Sequence, residues 1–197
     1  MPRTADKTDI SNRLTQAGYA LFKQHGYNAT GIQQITDLAG VPKGSFYNHF
    51  ESKEAFAAQI IRNYAQWVED AWAKGMQDAP ASPLAAIHQL FEGFISHHEQ
   101  SGCQGCLVGN FAAEVVEASP HCRSVLGSVM QDWRDRLADL ITQAQQAHEV
   151  RQDLDAATLA SFFWDAWEGA LLRTKVDHSV QPLKDMLHLM LDKFFRP

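Results

Sequence analysis

The feature that most constrains the fold is the stretch Val41–Ala55, which reads VPKGSFYNHFESKEA. Pro42 restricts the residue before it to extended or turn conformations, so a new helix is predicted to begin near Lys43. Phe46 and Phe50 lie four residues apart and would share one buried face of that helix. The other side chains are polar and crowd a short exposed surface. This pattern favours a helix that enters a nucleic-acid groove.

Two helices are predicted before this stretch. The first is capped by Thr8 or Asp9, carries apolar residues at helical spacing and ends at Gly26. Thr30 and Gln33 fit a T-x-x-Q capping box for the second helix, and a further glycine ends it. A tight turn then joins the second helix to the third. This layout is typical of a helix-turn-helix. The second helix of that motif, here the third helix of the chain, enters the major groove.

The rest of the chain also has helical periodicity, so the predicted fold class is all-α with about nine helices. A three-helix DNA-binding head, residues 1–54, is followed by a helical-bundle body, residues 55–197, for effector binding and dimerisation. The clearest break within the body is predicted over 75–83, where Gly, Pro, Asp and Ser cluster. The later helices are predicted from Ser52 to about Lys74, over 83–98, from about Cys106, over 120–146, over 153–176 and over 181–195.

Charge is divided unevenly along the chain. The net charge is −6, yet residues 1–53 carry six basic and four acidic side chains, against 11 basic and 19 acidic in the remainder. A mildly basic head on an acidic body is compatible with one DNA-facing end. With 45% hydrophobic residues the chain can form a substantial core. No apolar segment of about eighteen residues and no signal-peptide core is present, which predicts a cytoplasmic protein.

These residues resemble the TetR family of bacterial transcriptional repressors. The resemblance implies a homodimer that binds a palindromic operator and releases it when an inducer binds, with the dimer built from the last two helices. No cofactor is expected. The matching positions are Ala17, Phe22, Gly26, Tyr27, Thr30, Ile35, Ala39–Val41, Lys43–Tyr47, His49, Phe50 and Ser52–Glu54.

The predicted DNA-binding surface is centred on the third helix. Lys43 is the preferred base contact, because a lysine can reach guanine O6 and N7 in the major groove. The resemblance places Tyr47 and His49 on the DNA backbone and Lys53 on a phosphate. The alternative for Tyr47 is a partly buried core tyrosine. The full predicted set is Thr30, Gln33, Gln34, Lys43, Gly44, Ser45, Tyr47, Asn48, His49 and Lys53.

The last two predicted helices both carry wide apolar stripes. Such stripes would complete the subunit core and leave apolar surface over, which predicts a two-fold four-helix interface between subunits. The alternative is that the stripes only complete a monomer core.

A second unusual stretch, 101–107, reads SGCQGCL. Cys106 is predicted in the first turn of the sixth helix, where the helix dipole stabilises a thiolate. It is therefore a candidate sensor of electrophiles or oxidants, with Cys103 as a resolving thiol. The stretch looks like the N-ethylmaleimide-reductase repressor branch of the TetR family, where a cysteine in an S-G-C-L setting is associated with sensing reactive electrophiles. This chain differs by inserting Cys-Gln-Gly before Cys-Leu.

Other readings of the cysteines remain open. Three cysteines, an odd number, argue for reduced thiols rather than a disulfide scaffold. Cys103, Cys106 and Cys122 could bind zinc with His97, His98 or His121, although their spacing is irregular. They could equally be small buried hydrophobic residues.

A non-covalent inducer would bind among helices four to eight. The predicted lining residues are Phe111, Trp133, Phe163, Trp164 and Trp167. Polar contacts would come from His97 or Arg134, and Lys175 would supply a cation to a thiolate.

Two other functions compete with a DNA-binding regulator. An enzyme would use Cys106 as nucleophile and a histidine as base, but the sequence has no supporting catalytic motif. A helical interaction module without DNA binding is disfavoured by the polar surface of the third helix. The sequence therefore predicts a regulator and not an enzyme.

Overall fold

The computed structural model describes residues 7–197. Arg3 and Asp6 contribute to the charge of the head and lie outside the described residues. The prediction that no signal peptide is present concerns the same N-terminal residues, which are also outside the described range. Within the described range the chain forms helices and no strand. The helices are α1 Lys7–His25, α2 Ile32–Ala39, α3 Lys43–Tyr47, α4 Lys53–Gln77, α5 Pro83–Gln100, α6 Leu107–Val115, α7 Pro120–Gln146, α8 Ala156–Asp177 and α9 Gln181–Leu189, which continues as a π-helical turn, Met190–Phe194. This confirms the predicted fold class.

Side-chain caps begin four of the longer helices, α4, α5, α7 and α8. The Ser52 hydroxyl accepts a hydrogen bond from the Ala55 N–H (3.0 Å) before α4, and the Ser119 hydroxyl accepts one from the Cys122 N–H (2.9 Å) before α7. Before α8 the cap is Asp155, two residues later than the predicted start. Each such cap contributes about 1 kcal/mol.

The predicted start of the first helix and the predicted end of the fourth are wrong. Thr8 and Asp9 lie inside α1, which already includes Lys7. Gly75 lies inside α4, which continues to Gln77. A Cβ at Gly75 would lie 2.9 Å from the Leu90 side chain, so glycine here permits close packing of α4 against α5 and does not end the helix.

The described chain forms two compact units that divide within α4. The first contains residues up to Ala65 together with Leu107–Gly127, and the second contains Gln66–Cys106 and Ser128–Pro197. Helix α6 and the start of α7 thus belong to the same unit as the three N-terminal helices.

The first unit is built around an aromatic core. Phe22 and Phe46 are almost fully buried, and the Phe56 ring lies 5.9 Å and 5.1 Å from theirs. At the end of α2, Gly40 takes a left-handed conformation (φ 63°), which a glycine adopts without steric cost. The Arg13 guanidinium donates to the Gly40 carbonyl (2.9 Å) and so ties α1 to the turn before α3.

The second unit is a helical bundle of α5, α7, α8, α9 and the end of α4. Phe91 of α5 packs against three aromatic residues of α8, with ring centroids 4.5 to 5.7 Å apart. The Glu149 carboxylate, beyond the end of α7, accepts hydrogen bonds from the Ser82 hydroxyl and the Leu84 N–H at the start of α5. None of the described helices is long and apolar enough to cross a membrane.

Candidate DNA-binding surface and sensor site

Helix α3 is anchored by its apolar face and leaves its polar face open. Phe46 is 0% exposed, and its ring lies 5.5 Å from that of Phe50. Burial of one such side chain contributes about 2 to 3 kcal/mol. Lys43 is exposed, and Tyr47 is 54% exposed. Tyr47 is therefore a surface residue, and the core alternative considered for it is wrong.

The space in front of Gly44 is empty. A Cβ at this position would meet no described atom within 4 Å, so the packing of residues 7–197 does not require a glycine here. An absent side chain on an exposed helix leaves room for another backbone to approach closely. Around this position Asn48 is exposed, while Ser45 and His49 are part-exposed.

Thr30 is not on this surface, and its prediction requires correction. It is 1% exposed, and its hydroxyl donates to the Gly26 carbonyl (2.8 Å), which closes the turn between α1 and α2. The cap of α2 is instead Gly31, whose N–H donates to Oε1 of Gln34 (2.6 Å). The predicted capping box is thus displaced by one residue. Gln33 is exposed and bonds to an aspartate one turn later.

Lys53 contacts Tyr27 within the first unit. Its ammonium donates to the Tyr27 carbonyl (2.6 Å) and lies 4.1 Å from the centroid of the Tyr27 ring. Burial lowers the pKa of Lys53, and the nearby Glu114 carboxylate partly offsets this. The side chain is part-exposed, and its contact with a phosphate stays a prediction.

Cys103 and Cys106 lie in the loop between α5 and α6, and both side chains are buried. Cys103 has a positive φ of 55°, between glycines at 102 and 105 that also have positive φ. The loop therefore depends on a conformation that glycine adopts far more readily than other residues. Cys106 was predicted to lie in the first turn of α6. It lies immediately before that helix, which begins at Leu107.

Sequence reasoning missed the partner of Cys106. The thiol is hydrogen-bonded to the carboxylate of Glu168, on α8. Burial raises the pKa of Glu168 to about 7, and the hydrogen bond from the thiol opposes that rise. A charged residue directly after Trp167, within a helix whose inward face is apolar and aromatic, was the signal that would have identified it.

Cys122 is in the other unit and has a structural environment. It is 0% exposed, and its sulfur lies 3.6 Å from the Glu54 carbonyl oxygen. Burial raises the pKa of the Cys122 thiol, which keeps it protonated. Among residues 7–197 no group of three or more His, Cys, Asp or Glu side chains is arranged to hold a metal ion.

Four of the predicted pocket residues form one aromatic cluster in the second unit. Trp133 stacks on Trp164 with centroids 5.4 Å apart, and the Trp164 indole N–H donates to the Trp133 carbonyl (3.0 Å). Phe163 and Trp167 pack on Phe91, which the sequence reasoning did not single out. All five residues are buried core side chains.

Two more of the predicted effector residues are Phe111 and Arg134. Phe111 belongs to the first unit, where its ring lies 5.3 Å from that of Phe22, so its prediction as a lining residue of the body is wrong. The Arg134 guanidinium donates to the side chain of Gln131 on its own helix (2.9 Å), and its contact with an inducer stays a prediction.

His97 and Lys175 both belong to the second unit. The His97 ring lies 4.6 Å from that of Trp67. Lys175 is exposed near the end of α8, two turns after Glu168.

In comparisons with known proteins, the N-terminal and C-terminal parts of the chain both match family models of TetR-type regulators. The family model described as bacterial regulatory proteins, tetR family, matches residues 14–60, and the model described as tetracyclin repressor-like, C-terminal domain, matches residues 83–190. The HTH-type transcriptional repressor DhaR of Mycobacterium sp. strain GP1 is 33% identical over 94% of this chain and 92% of its own.

Solved structures of TetR-type regulators have the same fold as this chain. A TetR regulatory protein from Rhodobacter sphaeroides superposes with a TM-score of 0.86 at 31% identity, covering 92% of this chain and 96% of its own. The reduced form of NemR from E. coli superposes with a TM-score of 0.82 at 27% identity, covering 92% and 95%.

Proposed function

Because this chain belongs to the TetR family of DNA-binding transcriptional regulators, we propose that it is a homodimeric repressor released from a palindromic operator by a reactive electrophile or oxidant at Cys106. The observation that carries DNA binding is the polar face of α3, which the buried Phe46 anchors and where no atom of residues 7–197 would lie within 4 Å of a Cβ at Gly44. In this proposal residues 1–54 bind DNA, residues 55–197 dimerise and receive the signal, and the protein acts in the cytoplasm.

The DNA interface combines one base-reading side chain with several that position the helix. Lys43, exposed at the start of α3, reads a guanine edge. Tyr47 and His49 contact the sugar-phosphate backbone, where contacts fix register without reading sequence. Lys53 adds charge from the start of α4. Gln33 and Gln34 are exposed on α2 and line the same groove, and Ser45 and Asn48 complete the surface.

Exposed apolar residues on the last two helices support the dimer. Phe162 and Leu172 of α8 are 51% and 64% exposed, Val176 is 77% exposed, and Leu189 of α9 is 59% exposed. An exposed apolar set of this size on two consecutive helices is typical of a surface covered by a partner. A two-fold pairing of α8 and α9 would form a four-helix interface and bring two α3 helices to successive major grooves.

The position of α6 supports a route from the signal to the DNA-binding helices. Cys106 directly precedes α6, and α6 packs in the first unit through Phe111. On the same helix the Glu114 carboxylate accepts a hydrogen bond from the Asn28 N–H (2.9 Å), in the turn between α1 and α2. A displacement of α6 after modification of Cys106 would therefore shift the population of head conformations away from the one that fits DNA.

The proposal is tested by mobility shifts on the promoter region adjoining the protein's own gene. Lys53→Ala and Tyr47→Ala should weaken binding similarly across operator sequences, whereas Lys43→Ala should change sequence preference. Unchanged shifts for all three variants would show that the assigned surface is wrong.

The signal is tested in the same assay. N-ethylmaleimide or peroxide should release wild-type protein from DNA and should leave the Cys106→Ser variant bound. Equal release of both proteins would remove Cys106 as the sensor. In that case a non-covalent ligand bound near the aromatic cluster of the second unit becomes the leading alternative.

A further inference from the structure

Cys106 and Glu168 form a hydrogen-bonded pair contributed by two separate parts of the second unit. Cys106 is 6% exposed, and its thiol donates a hydrogen bond to the carboxylate of the part-exposed Glu168. A thiolate beside an ionised carboxylate is unfavourable, because like charges in a poorly solvated site repel strongly. The pair therefore favours a protonated thiol at rest, unlike the stable thiolate expected from a helix dipole alone.

A protonated thiol is a poor nucleophile, so its reaction needs a group that accepts the proton. We propose that Glu168 is that group, and that it takes the Cys106 proton as the sulfur adds to an α,β-unsaturated carbonyl compound. This inference rests on the proposed role of Cys106 as an electrophile sensor and specifies how the thiol reacts.

The reaction balances without any further reagent. The sulfur lone pair forms a bond to the β-carbon of the electrophile, the carbon–carbon π pair moves to give an enolate, and the thiol proton passes to the Glu168 carboxylate. The carboxylic acid then returns a proton to the α-carbon. The products are a thioether with a saturated carbonyl compound and a regenerated carboxylate, and nothing is oxidised or reduced.

The environment of Glu168 suits this task. An unperturbed carboxyl is about four pKa units more acidic than an unperturbed thiol and accepts its proton poorly. Burial raises the pKa of Glu168 to about 7, which brings its proton affinity close to that of a thiol. The base form is present above this value, so the reaction rate should rise as pH increases through about 7.

Other titratable groups lie in the same unit and are rival bases. His98 of α5 is buried next to the cysteine loop, and its carbonyl accepts a hydrogen bond from the Cys103 N–H (3.0 Å). On α8 itself, Asp165 and Lys175 are exposed. Glu168 has a hydrogen bond to the reacting sulfur and is therefore the base that we assign.

The test is the rate of Cys106 alkylation by N-ethylmaleimide in full-length protein between pH 6 and 9, quantified for each cysteine by peptide mass mapping. Glu168→Gln should slow modification of Cys106 at pH 7.5 by at least about tenfold and remove the rise near pH 7. Asp165→Asn, which removes a carboxylate from the exposed face of the same helix, should react like wild type. Glu168→Asp, which keeps a carboxylate, should retain the rise near pH 7.

Three results would overturn the inference. If Cys106 reacted as fast in Glu168→Gln as in wild type, Glu168 would have no part in the reaction. If it reacted faster, Glu168 would slow the reaction. Persistence of the rise near pH 7 in folded Glu168→Gln would assign the base to another group, such as His98. If wild-type Cys106 does not react at all, both the sensor and its base are wrong. Release from DNA is measured on the same samples to separate these cases. If alkylation of Cys106 releases the protein from DNA but its rate is unchanged in Glu168→Gln, only the role of Glu168 is refuted.

Discussion

Gly44 is an exposed residue, and no packing contact among residues 7–197 requires a glycine there. Gly44→Ala should leave stability unchanged or raise it by about 0.5 kcal/mol, because alanine is the better helix former and its Cβ meets nothing within 4 Å. Operator affinity should fall about tenfold, since the added methyl group would occupy the space that we assign to DNA. Urea unfolding and mobility shifts measure the two effects.

Gly93→Ala is the matched control for this change. Gly93 is also exposed on a helix, and a Cβ there would meet nothing within 4 Å. The control should gain similar stability and keep wild-type affinity. If Gly44→Ala also kept wild-type affinity, close approach of DNA to this position would be disproved.

Glu168 should make the stability of the protein depend on pH. Its pKa is about 7 in the folded chain against an ordinary 4.5, so the folded state holds a proton that the unfolded chain releases between these values. The stability associated with that proton is fully present below about pH 4.5 and is lost as pH rises through about 7. Glu168→Gln should therefore be more stable than wild type by about 2 kcal/mol at pH 8, a figure reduced because the residue is part-exposed.

This difference is measured by urea unfolding at pH 5 and pH 8. It should shrink toward pH 5, where wild-type Glu168 is mostly protonated. An equal difference at both values would mean that Glu168 does not gain a proton on folding.

At the scale of elements, α6 has an unusual position. It follows the cysteine loop in sequence, yet it packs with the three N-terminal helices through Phe111 and through the bond from Asn28 to Glu114. A Cβ at Gly26 would collide with the Glu114 carboxylate, so the turn after α1 is shaped to receive this side chain. In our proposal, α6 is the helix through which a change at Cys106 reaches the DNA-binding helices.

Glu114→Ala should weaken this coupling and leave DNA binding by unmodified protein near wild type. The bond is exposed, so its loss should cost at most about 1 kcal/mol of stability. The loss of DNA affinity caused by Cys106 alkylation should become about three- to tenfold smaller. Fluorescence anisotropy with labelled operator, before and after alkylation, measures this.

Glu117→Ala is a suitable comparison, because Glu117 lies just after α6 and pairs only with the exposed Arg123 among the ion pairs described. It should respond like wild type. An identical response of the Glu114→Ala variant would exclude this contact from the signalling route.

At the scale of the whole molecule, exposed apolar residues on α8 and α9 predict the assembly. Leu172→Glu places a charge at a position that is 64% exposed in the single chain and buried in the proposed dimer. Dimerisation should weaken at least about tenfold, and operator binding should fall with it, because a monomer presents only one α3. Sedimentation or light scattering reports the oligomeric state directly.

Leu38→Glu serves as the control for oligomeric state. Leu38 is a similarly exposed leucine, at 58%, but it lies on α2. The control should remain dimeric. A dimeric Leu172→Glu protein would rule out α8 as the interface.

Much of this protein could be predicted from local sequence, because the deciding interactions are local. Ser52 and Ser119 cap the helices that follow them, and Gly40 ends α2, since each of these contacts spans only a few residues. Phe46 was predicted to be buried from its spacing to Phe50. Thr30 was misassigned because its hydroxyl closes the turn after α1, at Gly26, whereas the capping pattern pointed it toward α2.

The helical fold class, the helix-turn-helix and the polar surface of α3 follow from local sequence, because periodicity, caps and turns act within one or two helical turns. The packing of Phe111 and α6 with the N-terminal helices, and the contact of Cys106 with Glu168, could be seen only in the folded chain. Such pairings depend on contacts between residues far apart in sequence. The pKa of a buried carboxyl, in turn, depends on which side chains surround it and exclude water, and no local pattern specifies them.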